Sequence, residues 1–216
     1  MESRINAPPA ELGAADQPAP AGPKTGRGKR TREKILAAAE REIGSRGFAD
    51  ASISSITAAA DVAQGTFYVY FRSKEDVMRE LVLRMGRRVR RHLSLAIAKA
   101  PTRLEAERQG IRAFLEFVRE NPDLYKVVTE SQFVDETVYR KYYTDFAAGY
   151  RNGLRAAVRR RELSKGDAEV RAWALMGACD MVGRRYALWD KTTSLARPAE
   201  ELFALIAHGL EPRHEP

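Results

Sequence analysis

Residues 52–76 read SISSITAAADVAQGTFYVYFRSKED, and this stretch decides the fold. Ser52 stands before a short helical pattern whose apolar stripe is Ile53, Ile56 and Ala60. A serine there can accept hydrogen bonds from the free N–H groups of the first turn. Asp61 follows where the chain has to turn, and Asp tolerates a left-handed backbone better than most residues. A second short helix is expected from about Gln64 to Tyr70. A third opens at Ser73, which has the spacing of a capping box with Asp76. Two short helices around a tight turn, followed by a capped third, form the layout of a helix-turn-helix DNA reader.

Within the second helix Phe67 and Phe71 lie one turn apart, so they pack inward against the preceding helices. Gly65, Thr66, Tyr68 and Val69 are left on the outer arc, with Gln64 at the amino-terminal end. Gln pairs with adenine, and Thr or Val touches a thymine methyl, when such a helix enters the major groove. Gly65 permits close approach of the backbone. Tyr68 and Tyr70 can each set a hydroxyl on a phosphate, which positions the helix without reading sequence. Lys74 opposes the helix dipole from the first turn of the third helix. A phosphate at that helix start would satisfy both the lysine and the free N–H groups.

Charge is distributed in keeping with this reading. Residues 24–92 hold 16 Lys and Arg against 8 Asp and Glu, a surplus equal to the formal net charge of +8 of the whole 216-residue chain. A basic field concentrated around the motif attracts a polyanion by counterion release. Arg27, Lys29, Arg30 and Arg32 read either as an arm reaching phosphates or a minor groove, or as a solvated linker. Arg84, Arg87, Arg88, Arg90 and Arg91, late in a helix, complement its dipole.

The segment Thr31 to Val82, above all GTFYVYFRSKED at 65–76, resembles the DNA-binding domain of the TetR/AcrR family of bacterial transcriptional regulators. That family typically shows Gly-Thr, Leu or Phe, Tyr, an aromatic before Phe, and Ser-Lys-Glu. The resemblance implies base or phosphate contacts from Ser54, Gln64, Gly65, Thr66, Tyr68 and Tyr70, and phosphate contacts from Ser52 and Lys74. Two positions depart from the family pattern. Asp61 stands where Gly is usual, and Ala63, in place of a frequent Ser, offers no cap to the recognition helix.

The rest of the chain is helical in pattern and has no strand alternation, so the expected fold is all α with about nine helices. Residues 1–28, rich in Pro, Ala and Gly, read as a disordered tail. Residues 29–76 form the three-helix DNA-binding domain, and 77–211 a larger helical domain for ligand binding and dimerisation. Of 18 aromatic residues, 13 lie between Phe114 and Phe203. Most must be core, but the resemblance implies a ligand cavity here, for whose lining we select Phe117, Tyr125, Phe133, Tyr143, Trp173 and Met176. The resemblance also implies a dimer through the last two long helices, where Ala174, Gly177, Ala178 and Gly183 favour close approach. A dimer suits DNA geometry as well, because two readers spaced by a helical turn address a near-palindrome.

These observations point to a ligand-responsive repressor that binds a palindromic operator on double-stranded DNA as a homodimer and is released by a small apolar or aromatic effector. An architectural DNA binder without a ligand is the alternative. An enzyme has little support: His92, His208 and His214 are scattered, and no metal-ligand spacing, phosphate loop or nucleophile elbow is present. Neither a cofactor nor a metal is expected. No apolar run reaches the roughly 20 residues of a membrane span, and residues 1–23 lack the apolar centre of a signal peptide. With a single cysteine, Cys179, the expected location is the cytoplasm.

Overall fold

The computed structural model describes residues 25–210, and within them the chain is all helical. Nine α-helices follow in order: α1 (Gly26–Arg46), α2 (Ile53–Ala59), α3 (Gln64–Tyr70), α4 (Lys74–Ile97), α5 (Arg103–Glu120), α6 (Pro122–Val134), α7 (Glu136–Arg159), α8 (Ala168–Gly183) and α9 (Ala196–His208). A π-helical turn, Arg184–Trp189, prolongs α8. No described helix is long and apolar enough to cross a membrane.

Local chemistry sets most of the boundaries. The Ser52 hydroxyl accepts from Ser55 N, while the Ser55 hydroxyl accepts from Ser52 N, a reciprocal cap for α2. Asp61 takes φ 55°, the left-handed turn that its position required. Ser73 caps α4 by accepting from Asp76 N, but the Asp76 carboxylate reaches back to Arg72 N rather than to Ser73 N. Thr102, Asp135 and Asp167 cap α5, α7 and α8 in the same manner. Pro122 occupies the first turn of α6, where its missing N–H costs nothing.

The start of α1 corrects the sequence reading. Thr25 accepts from Gly28 N, and the helix already runs at Gly26, so Arg27, Lys29, Arg30 and Arg32 are helical and do not form an extended arm. Lys and Arg are good helix formers, and an acceptor at Thr25 is enough to start the helix ahead of the expected point. Residues 25–28 therefore leave the tail; residues 1–24 of that expected tail, and Glu211 of the expected second domain, lie outside the described residues.

The first three helices pack around Ile35, Leu36, Ile43, Ile56 and Phe67, each 1% exposed or less. The same core continues without a break along α4 through Val77, Met78, Leu81, Val82 and Met85 into α5, α6 and α9. A division after residue 76 falls inside the first turn of α4, a helix that faces both sides. Three ion pairs tie α4 to α1: Arg32–Glu80, Arg84–Glu33 and Arg88–Glu40. These partners, beyond any helix dipole, account for the arginines at 84 and 88.

α6 is the second link between the two ends. At Gly44 of α1, a Cβ would stand 2.2 Å from Asp123 Cβ and 2.6 Å from Asp123 Cα, so the helices meet at a distance that only glycine allows. Around that contact Lys126 donates to Gly44 O, and Glu130 accepts from Phe48 N. At the far end, Arg119 of α5 donates to the carbonyls of Tyr186 and Thr193 and fastens the segment between the π-turn and α9.

Candidate nucleic-acid interface and internal cavity

α3 has two faces of different chemistry. Phe67 is fully buried and Phe71, just past the helix end, nearly so, with ring centroids 5.7 Å apart and the Arg32 guanidinium 5.0 Å from the Phe71 centroid. On the outer face Tyr68 is 51% exposed and Val69 62%, although no described partner explains two such apolar side chains in solvent. Gln64 and Gly65 are exposed beside them and Thr66 is half-buried. A Cβ at Gly65 would meet nothing within 4 Å, so this glycine is not required by internal packing. Tyr70 is half-buried and packs against the core. Ala63 provides no side-chain cap, so no side chain pairs with the first N–H groups of α3. Ser54 is exposed on α2; Ser52 is exposed as well, but its hydroxyl already accepts from Ser55 N at 2.9 Å.

Lys74 needs correction. Its ammonium does not extend outward to a phosphate but turns back over the end of α1. There it donates to the carbonyls of Phe48 and Ala51 and lies 4.2 Å from the Phe48 ring centroid. The loop leaving Gly47 carries carbonyls with no helical partner, and a cation satisfies them. What Lys74 still contributes to the α4 start is its backbone N–H.

A cavity of about 240 Å³ lies between α4, α5, α6, α7 and α8. Of the six aromatic and Met residues selected for it, Tyr125, Tyr143 and Met176 line it. The other three do not. Phe117 is buried between α4 and α5, its centroid 5.2 Å from that of His92. Phe133, in the last turn of α6, is 86% exposed. Trp173 stacks on the outer side of Tyr143 at 6.4 Å and donates to Glu169, with 41% of its surface exposed. Helical spacing gives the face of a helix and not the neighbour that covers it.

The cavity's charged groups, and Tyr150 beside them, were missed. At one end Arg103 and Glu107, 9% and 5% exposed, form a pair at 2.5 Å, and the Tyr150 hydroxyl donates to Glu107. At the other the Tyr125 hydroxyl donates to Asp180, which pairs with Arg184 at 2.9 Å. Burial, reinforced by the neighbouring carboxylate, pushes both phenols well above their ordinary range. Cys179 lines the same wall; burial pushes its thiol up to about 12, so it is a neutral wall group. One signal for this chemistry was present in the sequence: Glu107 falls on the stripe of Ile111, Phe114 and Val118, and a carboxylate on an apolar stripe needs a partner.

The profile of the bacterial regulatory proteins, tetR family, matches residues 35–81, the span from the middle of α1 to α4 that carries this exposed face. The chain thus carries the helix-turn-helix DNA-binding domain of the TetR family of transcriptional regulators. Similarity extends over most of the length in one relative, the uncharacterised HTH-type transcriptional regulator YdgC of Bacillus subtilis, 28% identical over 191 residues that span 87% of this chain and 96% of YdgC. The architecture is that of solved TetR-type regulators. FadR of Bacillus halodurans superposes with a TM-score of 0.76 at 21% identity, covering 85% of this chain and 97% of FadR. FadR of Bacillus subtilis, solved in complex with stearoyl-CoA, gives 0.74 at 20% identity, with 83% and 100% covered. With this domain the protein is a transcriptional regulator and not an enzyme, and its helix-turn-helix is the DNA-binding element.

Proposed function

We propose that the protein is a ligand-responsive repressor that binds a near-palindromic operator as a homodimer and lets go when a small molecule with an apolar or aromatic body enters the cavity. The observation that carries this reading is the continuity of two helices between cavity and DNA reader. α4 lines the cavity with Leu93 and Ile97 and is joined to α3 by three residues, Phe71 to Ser73. α6 lines it with Tyr125 and Val128 and holds the end of α1 through Asp123, Lys126 and Glu130. A ligand that fits one arrangement of α4 and α6 better than another shifts the spacing of the two readers. The stearoyl-CoA complex of the Bacillus subtilis FadR lends support to a ligand with a long apolar part.

On this reading Gln64, Gly65 and Thr66 meet base edges, Tyr68 and Tyr70 meet phosphates, and Ser54, with the outer side of Ser52, flanks them. Dimerisation uses the outward stripe of α8, where Val170, Ala174, Gly177 and Met181 are exposed. A Cβ at Gly177 would meet nothing within 4 Å, whereas Gly183 faces Phe114 at 3.4 Å and belongs to the core, as does Ala178. Residues 29–76 act as reader and 77–211 as sensor and dimer module, with α4 shared.

An electrophoretic mobility shift with DNA from upstream of the gene is the test. A salt-sensitive shift confined to a site with twofold symmetry is the expected result. Retention of the complex in the presence of every apolar metabolite that stabilises the protein in thermal unfolding would favour an architectural binder instead.

A further inference from the structure

Four charged side chains line the cavity: Arg90, Arg103, Glu107 and Asp180. Glu107 is matched by Arg103, and Asp180 by Arg184. Arg90 has neither an ion-pair nor a hydrogen-bond partner among the described residues, although its neighbours on α4, Arg84, Arg87 and Arg88, are all paired. It is therefore the uncompensated charge of the wall. Tyr142 of α7 lines the same region, 8% exposed, and its hydroxyl is likewise without a partner among the described residues. Gly86 brings the two together. A Cβ there would stand 3.0 Å from Arg90 Nη1 and 3.3 Å from Tyr142 Cδ2, so the missing side chain lets both converge over one point of α4.

We propose that the cavity takes an amphipathic organic anion, whose oxyanion accepts hydrogen bonds from the Arg90 guanidinium and the Tyr142 hydroxyl while its apolar body lies against Leu93, Ile97, Ile111 and Phe146. This deepens the repressor reading above and rests on it. A guanidinium beside an apolar wall gains most from a bound counter-charge, and a buried phenol without an acceptor gains a hydrogen bond in the same step. Burial and the Asp180 carboxylate push the Tyr142 phenol upward, against the opposing pull of Arg90, so it remains a donor near neutral pH. Because Arg90 belongs to α4, an anion drawn to it acts on the helix that leads to the reader.

The oxyanion can be a free carboxylate or a phosphate of a thioester conjugate, and the probes separate them. Calorimetric titration of the full chain with decanoate, methyl decanoate and decanoyl-CoA is the experiment. Decanoate or decanoyl-CoA should bind about ten-fold or more tightly than the methyl ester, as expected for a charge-assisted contact. Preference for decanoate assigns the carboxylate, preference for the conjugate its phosphates. Arg90→Gln should abolish the preference while changing the ester's affinity by less than about two-fold, and Tyr142→Phe should reduce it in a protein that still melts as a folded unit. Equal binding of acid, conjugate and ester by the parent, or an unchanged preference in Arg90→Gln, overturns the anion site and leaves the ligand reading intact. Binding of none of the three overturns both.

Discussion

The ammonium of Lys74, at the first position of α4, lies 4.2 Å from the centroid of the Phe48 ring, two residues past the end of α1. It also donates to the Phe48 carbonyl, so one side chain ties the start of the helix after the reader to the end of the helix before it. This arrangement changes what Lys74→Ala does. Hydrogen bonds from a charged donor contribute about 1.5–3 kcal/mol each when their acceptors have no substitute. With the site half-buried, a loss of about 1–3 kcal/mol in urea unfolding is expected, together with weaker operator binding. Unchanged stability with lost DNA binding would return Lys74 to the phosphate contacts.

Tyr68 has the opposite balance. Half of its surface is exposed, and its contact with the interior is one edge-on approach to Phe67 at 5.5 Å. Tyr68→Ala should therefore alter stability by no more than about 0.5–1 kcal/mol. Operator affinity should fall by about ten-fold, the value of one phosphate or base contact. A fluorescence anisotropy titration read beside a melting curve separates the two quantities; an unchanged affinity would remove Tyr68 from the DNA face.

These two residues differ in how far the sequence reaches. The caps and the breaks, Ser52, Asp61, Ser73 and the Asn121-Pro122 pair, are local devices, and the structure uses each of them. The inner face of α3 was legible because two phenylalanines one turn apart have one place to go. Lys74 was not, because its carbonyl acceptors sit 23 to 26 residues earlier and only tertiary folding brings them near. Half of the selected cavity lining missed for the same reason. Phe133 and Tyr125 are both aromatic on α6, yet one ends in solvent and the other against Asp180. Polar cavity groups such as Arg103 and Asp180 read as ordinary helix-surface charges until their partners are known.

Asp135 caps α7 by accepting from Val138 N and also pairs with Arg79 of α4 at 2.8 Å. Burial alone would raise its pKa, but the Val138 N–H and the Arg79 guanidinium outweigh it and hold the carboxyl below the usual carboxylate range. A folded-state value below the unfolded one of about 3.9 means that the contribution is fully present above about pH 4 and is lost as the pH falls further. The parent should therefore lose stability on acidification in this window, and Asp135→Asn should show a shallower acid limb. Identical acid limbs in urea midpoints measured from pH 6 to pH 3 would show that other carboxylates govern it.

Arg103 and Glu107 pose the sharpest energetic test, because both are nearly buried and each is the other's counter-charge. Glu107→Ala leaves a buried guanidinium unpaired and deprives the Tyr150 hydroxyl of its acceptor. Breaking such a pair costs about 3–5 kcal/mol, whereas replacing both members with apolar groups of similar size is often close to neutral. The double variant Arg103→Met with Glu107→Leu should thus recover most of what Glu107→Ala loses in urea unfolding. It would also make that end of the cavity apolar, which should favour ligands without a polar group there. A double variant as unstable as the single one would mean that packing around Tyr150 and Gly153, and not the unpaired charge, sets the cost.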